Sequence, residues 1–218
     1  MAEIDLLAAY PKTKRNLDER AAVKTDEDRL IGRQFGKDYF DGDRRHGYGG
    51  YSYQARFWQP VVPVFQQRYG LTASSRILDV GSGKGFMLHD FRQLIPGITV
   101  AGIDISDYAI EHTLPEVRPF VRVANAKDLP FDDRSFDLVI SINTIHNLAL
   151  TECKQALREI MRVTKKDAFV TVDAYRTDEE KRRMDMWNLT ALTYMSVEEW
   201  ENIFAKVGYT KDYYWFIP

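Results

Sequence analysis

Between Leu78 and Phe86 the chain reads LDVGSGKGF, which sets Gly81, Gly83 and Gly85 at alternating positions behind the carboxylate of Asp79. Glycine tolerates positive φ and lets a ligand lie against bare main chain, so this run predicts a ligand-receiving turn. Some two dozen residues on, Asp104 closes the apolar run VAGID. A carboxylate at such a place can accept from both hydroxyls of a ribose, which points to an adenosine-bearing ligand. A phosphate-cradling loop would need Ser or Thr after Gly83-Lys84, and Gly85 stands there instead. A dinucleotide turn would need glycine at 86, which is Phe86; that weakens a nicotinamide ligand without abolishing it.

A second set of residues could handle an acceptor. Of the four histidines, His146 in SINTIHNL follows an apolar run and can titrate near neutrality, so it is the candidate proton acceptor. Asn143 and Asn147 flank it and could orient a substrate, while Asp173 and Tyr175 end a later run. The stretch RRHGYGGYSY (44–53) joins flexible backbone to polar-tipped rings, a composition suited to ordering over a ligand. In it Arg44, Arg45 and His46 could meet an anionic group, and Tyr48 and Tyr51 could cover it. Trp187, in WNLT, is expected to line the same pocket.

These residues must be held by a scaffold, and the chain from Arg76 onward has its texture. RILDV (76–80), ITVAGID (98–104), FVRVA (120–124), FDLVISI (136–142) and AFVTVDA (168–174) each read as a strand buried on both faces. Between them, Cys153, Ala156, Leu157, Ile160 and Met161 form one helical stripe over 151–164. In 196–207, Ser196 and Glu199 make a capping box, and Gly208 stops the helix. Alternating strands and helices predict an α/β fold, a Rossmann-like three-layer sandwich with a mostly parallel sheet. In such sheets the ligand lies beyond the carboxyl ends of the strands. A division into an N-terminal helical and loop cap (1–75) and a binding domain (76–218) follows from the change in texture.

The 30 basic and 32 acidic residues leave a net charge of −2, which gives no footprint for nucleic acid. The single Cys153 fits a reducing compartment, and the N-terminal MAEIDLLAAYPKTKRN lacks the pattern of a secretory signal. Apolar runs fall short of a membrane span. A cytoplasmic protein with no metal, nucleic acid or membrane partner is expected.

Asp79-Val80-Gly81-Ser82-Gly83-Lys84-Gly85 resembles the first motif of class I S-adenosylmethionine (SAM)-dependent methyltransferases. ANAKDLPFDDRSFDLVIS (124–141) is similar to the stretch that in this family reads the adenine, although Asn125 stands where the family usually has Asp. The amide oxygen of Asn can still accept a hydrogen bond from an amino group. The resemblance, over roughly 75–175, implies SAM as cofactor, with Asp79, Gly81, Ser82, Gly83, Gly85, Asp104, Ile105, Asn125, Ala126 and Asn143 around it. It also implies methyl transfer to O or N of a small polar metabolite, anionic ones included. A SAM-binding protein without catalysis and a nicotinamide oxidoreductase remain as rivals. The family usually ends on two antiparallel strands, whereas YTKDYYWFIP supplies one, so WNLTALTYM would supply the other or the sheet would end early. An aromatic edge left open in that way would favour a homodimer.

Overall fold

The structure, a computed structural model, describes residues 1–11 and 24–218. Strands β1 (Arg76–Val80), β2 (Thr99–Asp104), β3 (Val121–Val123), β4 (Phe136–Ile142), β5 (Thr164–Tyr175) and β6 (Met195–Ser196) run in the order β3-β2-β1-β4-β5-β6. A last strand, β7 (Asp212–Phe216), also pairs with β5, and every pairing between named strands is parallel. The chain steps outward from β1 to β3, then returns to place β4 on the other side of β1. The crevice that this reversal opens lies at the carboxyl ends of β1 and β4.

Each face of the sheet is covered. On one face, Leu78, Val80, Val139, Val170 and Val172 pack with helices α7 (Leu150–Val163) and α9 (Val197–Val207). On the other, Ile77, Leu138, Ile140 and Phe169 meet α4 (Val62–Tyr69) and α5 (Phe86–Leu94) through Val62, Phe65, Leu88 and Phe91. Each such side chain contributes roughly 1.5–3 kcal/mol when fully buried. The stripe expected on α7 is present, and α9 carries the expected capping box between Ser196 and Glu199, with Gly208 left-handed at φ 74° behind it.

The N-terminal segment adds α1 (Asp26–Gly32), α2 (Lys37–Asp41) and α3 (Ala55–Trp58) before α4. Helix α4 and Leu71 belong to the core under the sheet, so packing is continuous across residue 75. Lys24 Nζ reaches the carbonyls of Met186 (2.9 Å), Trp187 (2.6 Å) and Asn188 (3.1 Å), where helix α8 (Asp178–Trp187) ends. A cation there meets the orphan carbonyls and the negative end of the helix dipole. No helix among the described residues is long and apolar enough to cross a membrane.

Three expectations need correction. FVRVA is not buried on both faces, because β3 is the outermost strand and Arg122 and Val123 are exposed. β5 begins at Thr164, four residues before the apolar run, since its start lies at the sheet's rim: Lys166 there reaches solvent and pairs with Asp137 at 3.0 Å. The C-terminal strand is parallel to β5, and its outer side is not open. Residues 2–4 lie along it, with a Glu3–Tyr213 bridge, Ile4 N–H donating to Tyr213 O (2.9 Å) and Tyr213 N–H to Ala2 O (3.0 Å). WNLTALTYM contributes only Met195 to the sheet, in the two-residue β6 beside Ala174 and Tyr175.

Candidate functional site

The glycine turn leaves β1 and enters α5 with Gly81, Gly83 and Gly85 all at positive φ, at 90°, 53° and 75°. Two of the three are demanded by the protein's own packing. A Cβ on Gly81 would fall 2.0 Å from Thr144 Oγ1, and one on Gly85 would fall 2.9 Å from Val117 Cγ2. Gly83 is different: its nearest neighbour is an aromatic edge, Tyr51 Cε1, at 3.3 Å. The turn is tied to β2 by Gly81 and Ser82 N–H groups donating to Ile103 O (2.8 and 2.9 Å). Ser82 Oγ is buried with no partner among the described residues.

Asp104, at the end of β2, accepts from Gly83 N–H (2.8 Å) on one oxygen and from Ser106 N–H (2.9 Å) on the other. Each oxygen keeps a further lone pair, so the carboxylate is held in place yet able to accept from a ligand. Beside it, Ile105 is 51% exposed, an apolar surface at the strand's end, and the Ala124 N–H to Asp104 O bond (2.9 Å) brings Asn125 and the buried Ala126 alongside. The Asn125 side chain closes a local turn, accepting from Lys127 N–H at 3.1 Å.

Asp79 is buried, and no hydrogen bond reaches its side chain from the described residues. Burial, and then the neighbouring charge of Asp104, push its carboxyl up to about 7. Burial raises Asp104 as well, against the backbone N–H groups that lower it. Lys84, the cation of the turn, points instead to Asp41 (Nζ–Oδ2 2.6 Å). The turn thus presents negative charge without a counter-charge, a setting that favours a cationic ligand and disfavours a pyrophosphate.

On the acceptor side, His146 sits in a 3-10 turn after β4, buried, with its Nδ1 accepting the N–H of Asp173 at 2.9 Å. That bond assigns the proton to Nε2, and burial lowers the imidazole's pKa despite the Asp173 charge 3.5 Å away. The Nδ1 lone pair is already committed. Asp173 lies on the same sheet face as Phe169 and is itself raised by burial. Asn143 turns towards β5: Thr171 Oγ1 donates to its Oδ1 at 2.7 Å. Asn147 donates to Asn143 O (3.3 Å), and its Oδ1 is buried with no partner among the described residues. Tyr175 is half-buried, with Lys181 Nζ 5.9 Å from its ring centroid.

The structure does not gather Arg44, Arg45 and His46 into an anion site. Arg44 donates to Tyr48 O, Arg45 pairs with Asp43 (3.3 Å), and His46 Nε2 pairs with the buried Asp28 (3.0 Å). Each of these side chains is used within the cap. Tyr48 and Tyr51 stack on one another (centroids 4.3 Å apart), and Tyr51 stacks on Phe86 (4.8 Å) above the glycine turn. Trp187 packs on Phe216 (5.2 Å), and Leu189 and Thr190 behind it meet α1 through Gly32 and Arg33. Sequence reasoning missed Asp41, Phe40, Tyr108 and Thr144. Asp41 had a weak signal, an acid just before GYGGY; the others had none, because long-range packing places them.

A parallel sheet with its crevice beside a three-glycine turn, and an acid at the end of the second strand, match the Rossmann-like fold of the methyltransferase structures below. Residues 78–172 match the family model described as methyltransferase domain. Among curated relatives, an Arabidopsis thaliana tRNA (carboxymethyluridine(34)-5-O)-methyltransferase is 32% identical over 142 residues, covering 65% of this chain and 33% of that protein. A demethylmenaquinone methyltransferase of Roseiflexus castenholzii is 33% identical over 93 residues, covering 41% of this chain and 38% of that one. The chain thus spans little more than a third of the length of these relatives. Among solved structures, the YcgJ protein of Bacillus subtilis superposes with a TM-score of 0.54 at 22% identity, covering 67% of this chain and 66% of that one. A Haemonchus contortus phospholethanolamine N-methyltransferase 2, solved with S-adenosylhomocysteine, reaches 0.57 at 21% identity, covering 81% and 44%.

Proposed function

We propose that the protein is a SAM-dependent methyltransferase that methylates O or N of a small polar metabolite. The observation that carries this reading is Asp79, a buried carboxylate without a donor partner, beside Asp104 and under the glycine turn. A cationic ligand offsets the cost of such a charge, and SAM carries an ammonium and a sulfonium. Once bound, SAM supplies a methyl carbon already activated by its sulfonium; the protein's contribution is alignment. Asp104 is placed to accept from the ribose hydroxyls. Ile105, Asn125 and Ala126 would flank the adenine, and the Gly81–Gly85 backbone, with Ser82 and Asn143 nearby, would receive the methionine end.

His146, Asn147 and Tyr175 stand for the acceptor side. His146 is held as the Nε2–H tautomer, so it serves as a hydrogen-bond donor that orients the acceptor. Arg44, Arg45 and His46 are occupied within the cap, so the geometry gives no support to an anionic acceptor. The curated relatives named above act on a tRNA and on demethylmenaquinone, so likeness alone does not select an acceptor.

Calorimetry with SAM and with S-adenosylhomocysteine tests the donor site, and methyl-labelled SAM incubated with fractionated metabolites tests transfer. The expected result is heat with both ligands and label in a small-molecule fraction. Heat without transfer from any fraction would leave the non-catalytic rival standing; heat with NADH alone would replace the donor.

A further inference from the structure

Lys84 lies between two glycines of the turn, and its side chain is only 8% exposed. A lysine on a ligand-binding turn would ordinarily face the ligand or water. Here Nζ donates to Asp41 Oδ2 (2.6 Å) and to the Tyr51 carbonyl (2.9 Å). Asp41 closes α2, and three groups converge on it. Besides Lys84, Tyr108 OH donates to Oδ2 (2.7 Å), and Tyr51 N–H donates to Oδ1 (2.9 Å). Tyr108 belongs to α6 (Asp107–Glu111), which starts just beyond Asp104. A single carboxylate therefore joins the glycine turn, the end of the ribose-side strand and the cap. Burial alone would raise its pKa, and the bonds from Lys84, Tyr51 and Tyr108 overcome that and hold it at about 2, so the charge persists at neutral pH.

The consequence is a defined position for Tyr51. Both its N–H and its carbonyl are gripped by the pair, so the ring lies on Gly83 and is stacked between Tyr48 and Phe86, with Phe40 at 5.6 Å. The cap also touches the far side of the site, where Ser106 Oγ donates to Phe35 O. We infer that Lys84 is a positioning residue: with Asp41 it clasps the 37–51 segment onto the glycine turn, making Tyr51 a roof that slows departure of the donor. This rests on the donor site proposed above, since a roof needs a ligand beneath it.

Replacing both charges together, Lys84→Met with Asp41→Leu, removes the clasp without stranding a buried charge, the change that buried ion pairs tolerate best. S-adenosylhomocysteine release is then followed by stopped-flow on the full chain, with binding stoichiometry and thermal melting recorded alongside. The expectation is full stoichiometry, a nearly unchanged melt and release faster by about tenfold or more, the scale of a lost charged hydrogen bond. Release at the wild-type rate from the folded double variant overturns the inference. Should that variant not fold, Lys84→Gln with Asp41→Asn keeps the side-chain shapes and removes the ion pair. Faster release from it supports the clasp, and an unchanged rate overturns it. Failure of the wild type to bind S-adenosylhomocysteine would sink the donor site itself, and that result is read before any variant is made.

Discussion

Asp79 shows how one buried charge shapes the site. Its folded pKa of about 7 lies above the ordinary carboxylate value of 3.8, because burial and Asp104 favour the neutral form. The folded protein then holds a proton that the unfolded chain has released, so stability falls as pH rises from about 4 to about 7 and is level above that. Asp79→Asn should therefore raise the ligand-free denaturation midpoint at pH 7.5 by the equivalent of a few kcal/mol, with the gain vanishing near pH 4. Urea titrations across that range check it; a gain independent of pH would show that the charge is not the cause. The same variant should lose affinity for SAM, since it removes the carboxylate proposed to meet the cation. Gly81 and Gly85 mark the other side of residue-scale reasoning. Their lack of a side chain is required by Thr144 and Val117, so three glycines in a row of alternating positions are in part a packing requirement.

Elements were legible wherever their signals were local. β1 and β4 coincide with RILDV and FDLVISI, because buried central strands carry uninterrupted apolar runs. Helix α9 was framed by its cap residues, and the Ser196–Glu199 box predicts a measurable loss. Ser196→Ala should cost about 1 kcal/mol, read from chemical denaturation, whereas Ser196→Asp should keep most of it. No loss would mean that packing of Trp200 and Phe204 alone holds the helix start. The exposure of β3 is set by its place at the sheet's edge, which its apolar run does not record, and the start of β5 lies before its apolar run. At the sheet's rim the first residues of β5, Thr164 to Asp167, are polar where they meet water, so their pattern resembles a loop.

At the scale of the whole molecule, the two chain ends are joined in one sheet. Residues 2–4 lie along β7, Arg68 and Ala2 both bond to Asp212, and Leu6 is buried in the core next to α4. This covers the edge that would otherwise present backbone groups beside Tyr213 and Trp215. Deleting residues 1–7 should uncover it and promote self-association, visible as a concentration-dependent sedimentation coefficient that the full chain does not show at the same concentrations. A full chain that dimerises equally would move the contact elsewhere.

The sequence by itself determined the sheet's central strands, the glycine turn, the acid at the end of β2 and the caps of α9, since each is written in neighbouring residues or in a period of 2 or 3.6. Only the tertiary structure decided what those features touch. Lys84 meets Asp41, 43 positions away, His146 gives its Nδ1 to the Asp173 N–H, and residues 2–4 cover β7. Such partners come together through sheet topology and burial, which set distances between remote residues that no local spacing records.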